Sequence, residues 1–207
     1  MDLLQRTHPD EVRAALARYP AGGQASAVLE LLYLAQAAYG HLSDDAVREV
    51  AALAGTDPTR VRGLVGFYSL LYDRPHGGYV IHFCADLPCA LRGAEGVLQA
   101  LCDRLGVRPG ETSADRLFTV EAVKCLAACD RAPVMQVNLE YFEDLTEARL
   151  DEIIADLRAL AASGPPRRPP FGFGPPSGIR AAAGARDAGG HGSGRVTGHG
   201  AGDARDV

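Results

Sequence analysis

Through the first third of the chain, apolar residues recur at helical spacing. Pro9, followed by Asp10 and Glu11, starts a helix whose apolar stripe is Val12, Ala15, Leu16 and Tyr19. Pro20-Ala-Gly-Gly breaks it. A second helix runs to Tyr39 with Val28, Leu31, Leu32, Ala35 and Ala38 on one face, closed by Gly40. Ser43 caps a third, with Asp44 and Asp45 at its positive end and Gly55 at its close. Asp57-Pro58 opens a fourth, with Val61, Leu64, Val65 and Tyr68 turned inward. Four short amphipathic helices joined by short turns predict a small helical bundle over residues 1–74. His8, His41 and Asp44 do not stand at ligand spacing and read as capping or solvated groups.

After the turn Asp73–Gly78 the pattern changes. Tyr79-Val-Ile-His-Phe is β-rich and ends at Cys84. Cys89 then opens a helix with the stripe Ala90, Ala94, Val97, Leu98, Leu101 and Leu105. Gly110–Asp115 reads as a loop, and Leu117–Val123 as a strand leading to Cys125 and Cys129. Pro133–Asn138 and Tyr141–Glu143 form a predicted hairpin around Leu139. Thr146–Leu160 closes the series as a helix with Leu150, Ile153, Ile154 and Leu157 inward. The order βα…ββα is the thioredoxin-like α/β pattern, here over residues 75–163. The fold class is therefore α+β, a helical bundle followed by this second domain.

Composition adds a third segment. Residues 164–207 hold 12 of the 24 Gly and 6 of the 13 Pro, with too few large apolar residues to offset their ordering entropy. A disordered tail is expected there. Its Gly172–Gly178 run resembles a nucleotide loop only superficially, because no strand precedes it and Pro175 and Pro176 stand where a helix should begin. A partner-docking tail anchored by Phe171 and Phe173 is the functional alternative to a solvated linker. The tail carries six Arg against three Asp; with −5 for the whole chain, residues 1–163 carry −8. That sign argues against nucleic-acid binding, and Lys124 is the only lysine beside 20 Arg. Glu30 and Gln36 interrupt the best apolar stretch, so no direct membrane insertion is expected. Met1–Asp10 lacks the apolar core of a secretory signal, which points to a soluble, cytoplasmic protein.

Four of the five cysteines form a C-x4-C…C-x3-C set, each pair in a loop just after a strand. Three chemistries compete for them. Structural disulfides fit poorly without an export signal. Tetrahedral zinc takes four thiolates, but its ligand pairs usually come as C-x2-C. A [2Fe–2S] cluster needs thiolates spread over two irons, and the wider spacings favour that larger target. Cys89 at a helix N-terminus, with Lys124 and Arg131 beside the second pair, would offset the cluster's negative charge. The acidic body opposes reduction, so the expected potential lies nearer the plant-type value of about −400 mV than the Rieske range. Cys102, beside Leu98, Leu101 and Leu105, reads as a small buried hydrophobe rather than a redox thiol.

Cys84-Ala-Asp-Leu-Pro-Cys89-Ala-Leu-Arg-Gly93 and Cys125-Leu-Ala-Ala-Cys129-Asp-Arg-Ala-Pro-Val-Met-Gln-Val-Asn138 resemble the E-type subunits of bacterial NADH:quinone oxidoreductase, respiratory complex I. Gly66-Phe-Tyr-Ser69 and Asp144–Glu152 extend the likeness, which spans roughly residues 8–163. The resemblance implies a thioredoxin-like [2Fe–2S] ferredoxin with cluster ligands Cys84, Cys89, Cys125 and Cys129. It implies a flavoprotein partner that carries FMN and binds NADH, further peripheral-arm iron–sulfur subunits as neighbours, and a place on the inner face of the plasma membrane. The cluster would exchange single electrons with that flavin, and the isolated chain would catalyse nothing. Related subunits occur in soluble NAD-linked formate dehydrogenases and hydrogenases; a free-standing ferredoxin or a zinc-binding interaction module would be a different class. Two residues depart from the family pattern: Ala127 stands where Gly is usual, and Lys124 where an acid is common. If that glycine serves a positive φ, Ala127 costs on the order of 1 kcal/mol.

Overall fold

The computed structural model describes residues 3–164. The expectations for the Gly172–Gly178 run, Phe171, Phe173 and the rest of the tail lie outside these residues. Five helices make the front: α1 (Leu3–Thr7), α2 (Pro9–Ala17), α3 (Val28–Tyr39), α4 (Asp44–Ala54) and α5 (Pro58–Phe67), with a 3-10 turn at Gln24–Ala27. The caps are those the sequence names. Ser43 Oγ accepts from the Ala46 N–H at 3.3 Å, and Asp57 Oδ1 accepts from the Thr59 N–H at 2.7 Å. The bond from Thr59 also holds the Asp57 carboxyl below the usual carboxylate range, because it favours the charged form.

Three details of the front differ from expectation. Helix α1 has no periodic stripe; what orders it is tertiary, the Leu4 N–H donating at 2.7 Å to Oε1 of buried Glu49. Tyr68 is not inward but exposed, because the chain leaves α5 at Phe67 and continues in extended backbone. Ala38 is exposed too, since the packed face of α3 ends with Leu31, Leu32 and Ala35.

The second half is built on a four-stranded sheet in the order β2-β1-β3-β4, from β1 (Tyr79–Cys84), β2 (Phe118–Val123), β3 (Met135–Val137) and β4 (Glu140–Phe142). Strand β1 lies parallel to β2, from Tyr79 opposite Phe118 to Cys84 opposite Val123, and antiparallel to β3. As a central strand it is buried along its whole length. A two-residue turn joins β3 to β4, with Asn138 and Leu139 both at positive φ, 47° and 73°. The Asn138 side chain locks that turn to the start of β1, accepting from the Val80 N–H at 2.8 Å and donating to the Gly78 carbonyl at 3.0 Å.

Between β1 and β2 the single predicted helix is two: α6 (Leu87–Leu91) and α7 (Ala94–Leu105). Gly93 at φ +83° makes the break, a conformation costly for any residue with a Cβ. Ala90 consequently falls off the stripe and is exposed, and Cys102 does not share a helix with Cys89. Helices α7 and α8 (Glu147–Ser163) pack Leu101, Leu105, Leu150, Ile153 and Leu157 with Phe83, Phe118 and Val120 of the sheet. Arg104 ties α7 to α8 through Asp151 at 2.6 Å. The bundle has a separate apolar core around Leu31, Leu32, Val50 and Val61. No helix among the described residues is long and apolar enough to cross a membrane.

The segment between the two cores is held by side chains from both sides. Gln36 donates to the Leu70 carbonyl at 2.8 Å and accepts from the Tyr72 N–H at 2.7 Å, while the Gly77 N–H donates to Thr119 Oγ1 at 2.7 Å. Gly77 lies so close to β2 that a Cβ there would stand 2.7 Å from the Phe118 carbonyl carbon. Backbone cannot yield as a side chain can. Gly77→Ala is expected to cost about 2 kcal/mol or more, read as a lowered thermal midpoint; an unchanged midpoint would contradict this packing.

Candidate metal centre

The sheet brings the four predicted cysteines to one end. Cys84 is the last residue of β1, and its N–H donates to the Val134 carbonyl at 3.1 Å. The ladder continues one residue further, with the Ala85 N–H on the Val123 carbonyl at 2.9 Å. Asp86 and Pro88 then begin α6, which places Cys89 in its first turn. On the neighbouring strand, Cys125 follows β2 by two residues, and Cys129 opens a 3-10 turn to Arg131. Cys84 and Cys89 are buried; Cys125 and Cys129 are exposed.

Sγ of Cys125 and Sγ of Cys129 are 3.5 Å apart, and the Cys84 thiol acts on that of Cys89 and raises it. The pairs also sense one another: charge on Cys84 raises the Cys129 thiol, and charge on Cys129 raises that of Cys89. Burial first, then the Cys84 thiol, pushes Cys89 up to about 11, against the Val134 backbone, which lowers it. Cys129 is raised chiefly by its bond to Cys125. Among the described residues, no three Cys, His, Asp or Glu side chains close around a single ion.

The exposed pair receives a backbone donor, the Ala127 N–H on Cys125 Sγ at 3.3 Å, and the Val134 backbone favours the charged form of Cys89. Four soft thiolate donors, paired and met by backbone groups, suit a cluster of two irons, each taking two sulfurs. The loop carrying the exposed pair is pinned at both ends. Tyr141 Oη donates to the Leu126 carbonyl at 2.6 Å, and Arg131 bonds Asp144 at 2.7 Å.

Of the two cations beside this pair, Arg131 bonds Asp144 and Lys124 is exposed. Cys102 is buried in the α7 core, as its apolar neighbours predict, and burial raises its thiol. His8 bonds Thr7 and Asp44 pairs with Arg62, both away from the cysteine loops in the chain's front helices. The backbone groups of Val134 and Ala127 and the anchor Tyr141 escape sequence reasoning. No local pattern marks a phenol aimed at a carbonyl 15 residues away.

Residues 12–158 match the family of thioredoxin-like [2Fe-2S] ferredoxins. The chain belongs to that family. With the family comes its fold and its cofactor, one [2Fe–2S] cluster. Among curated relatives, NADH-quinone oxidoreductase subunit 2 of Thermus thermophilus is 42% identical over 151 residues, covering 72% of this chain and 83% of its own length. An E-type NADH-quinone oxidoreductase subunit of Rhizobium meliloti is 40% identical over 153 residues, covering 74% and 90%. Among solved structures, an NAD+-reducing [NiFe]-hydrogenase in the H2-reduced state aligns with TM-score 0.55 and 26% identity, over 62% of this chain and 22% of that one.

Within this ferredoxin Ala127 sits at φ +61°, the left-handed conformation for which glycine is suited. Ala127→Gly is therefore expected to stabilise the protein by about 1 kcal/mol, measured by denaturant unfolding of wild type and variant under identical conditions. A destabilised variant would show that the methyl group makes contacts outweighing the strain.

Proposed function

We propose that this chain is the electron-transfer subunit of an NADH-quinone oxidoreductase, with Cys84 and Cys89 holding one iron of its cluster and Cys125 and Cys129 the other. When bound, a [2Fe–2S] cluster takes up and returns one electron at a time. The chain's own residues do the rest. The β1 and β2 ends hold the two cysteine loops side by side. Ala127 presents its N–H to Cys125, the Val134 backbone favours charge on Cys89, and the core beneath Cys84 and Cys89 keeps water from that side.

The observation that carries the reading is the asymmetry of the site. One cysteine pair is rooted in the core and the other is at the surface, so a cluster bridging them has an edge open to a partner. Leu87 and Leu91, 67% and 79% exposed, lie one helical turn apart on either side of Cys89. Such apolar exposure beside a redox centre suits a covering partner. The relatives named for NADH-quinone oxidoreductase, at 40–42% identity, support this complex over the alternatives.

The partner in this reading is the flavoprotein that binds NADH and FMN. NADH gives up two electrons as hydride, and a flavin can accept two and release them singly. Residues 1–163 hold no Gly-rich strand-to-helix turn for a dinucleotide. The assembly would sit in the peripheral arm on the inner face of the membrane, with the chain divided near residues 74 and 163 into bundle, ferredoxin domain and tail. A second reading, the corresponding component of a soluble NAD+-reducing hydrogenase or formate dehydrogenase, draws on the hydrogenase likeness, at 26% identity. The isolated holoprotein is expected to be reduced by a strong chemical reductant but not by NADH, and by NADH once the flavoprotein is added. Stopped-flow bleaching of the visible absorption checks this; NADH reducing the partner-free protein at a catalytic rate would overturn the reading.

A further inference from the structure

The Leu126–Ala127 peptide is bonded at both of its polar atoms. Its carbonyl accepts from Tyr141 Oη at 2.6 Å, and its N–H donates to Cys125 Sγ at 3.3 Å. Tyr141, half-buried on β4, thus reaches the sulfur through one intervening amide. We propose that Tyr141 is a positioning residue that tunes the cluster's reduction potential through the Leu126–Ala127 peptide. The proposal rests on Cys125 being a cluster ligand, as proposed above.

Two physical effects act in the same direction. A donor on the carbonyl oxygen draws electron density from the amide and makes its N–H a stronger donor, the cooperative polarisation of hydrogen-bond chains. The same bond fixes the peptide plane. Ala127 is in the left-handed conformation, which an alanine does not hold by preference, so the N–H direction depends on an external anchor. An N–H pointed at a ligand sulfur favours the more negative, reduced form and raises the potential. Tyr141 is suited to the task by its place: Gln136 opposite it on β3 belongs to the antiparallel hairpin, so the phenol is carried by the sheet rather than by the cysteine loop it anchors.

The test uses the full-length holoprotein in two substitutions at one position. Tyr141→Phe removes the donor and keeps the ring; site-specific 3-fluorotyrosine keeps the hydroxyl and makes it a stronger donor. At a fixed poise and pH 7, Tyr141→Phe is expected to lower the reduced-to-oxidised ratio about threefold, about 28 mV at 59 mV per tenfold. The fluorinated phenol should shift the ratio the opposite way. The deuterium-sensitive shift of the iron–cysteine stretch in resonance Raman spectra should shrink in Tyr141→Phe. Faster cluster loss with an unchanged potential and an unchanged deuterium shift would mean a purely structural anchor and would overturn the proposal. Should Tyr141→Phe fail to hold a cluster, the fluorotyrosine protein decides alone, and no upward shift there refutes it. Full iron retention with an unchanged spectrum in Cys125→Ala would instead sink the ligand assignment, and the tuning role with it.

Discussion

Parallel pairing of β1 with β2 is the constraint from which the site follows. In a parallel pair both chains leave the sheet at the same edge, and the register carries Cys84 level with Val123. Two loops far apart in sequence, Ala85–Pro88 and Lys124–Ala128, must therefore start beside one another. An antiparallel pairing would send the cysteine pairs to opposite ends of the sheet. The crossover through α6 and α7 makes the parallel arrangement possible, and the break at Gly93 lets α6 turn Cys89 back toward Cys84 before α7 packs on the sheet.

Backbone groups take part in managing charge at the site. With a cluster held as proposed, four thiolates and a body of net −8 over residues 1–163 would make negative charge the dominant local problem. Arg131, a nearby cation, is paired with Asp144, a half-exposed pair whose direct value to stability is small but whose geometry fixes the loop. Facing the sulfurs are backbone groups, the Ala127 N–H on Cys125 and the Val134 backbone that favours charge on Cys89. They cost no side-chain entropy, and their direction is set by β3 and by the hydrogen bond from Tyr141.

Much of this is legible in the residues. Ser43, Asp57 and Thr146 cap helices through local chemistry, and the β-branched and aromatic run Tyr79–Phe83 reports a strand, so element types and the four-cysteine constellation can be read directly. The positive φ at Ala127 follows the expectation that the resemblance suggested for that loop. What cannot be read depends on distant partners. Helix α1 exists because Glu49 accepts its N–H, and Tyr68 is exposed because α5 stops one residue early. The helix after Cys84 reads as continuous because Ala90 and Ala94 keep helical spacing across a glycine whose φ the stripe does not reveal. The N–H donors to sulfur are backbone groups, which no side-chain motif advertises.

On the proposed reading, two facing thiol pairs hold a two-iron cluster in a redox protein, and not a single structural ion. Quantifying iron, acid-labile sulfide and zinc in anaerobically purified full-length protein, together with the EPR signal after one-electron reduction, addresses it most directly. About two irons and two sulfides per chain are expected, with one unpaired electron shared by each iron pair. Stoichiometric zinc from cells replete with iron and sulfide, or iron without sulfide, would contradict it.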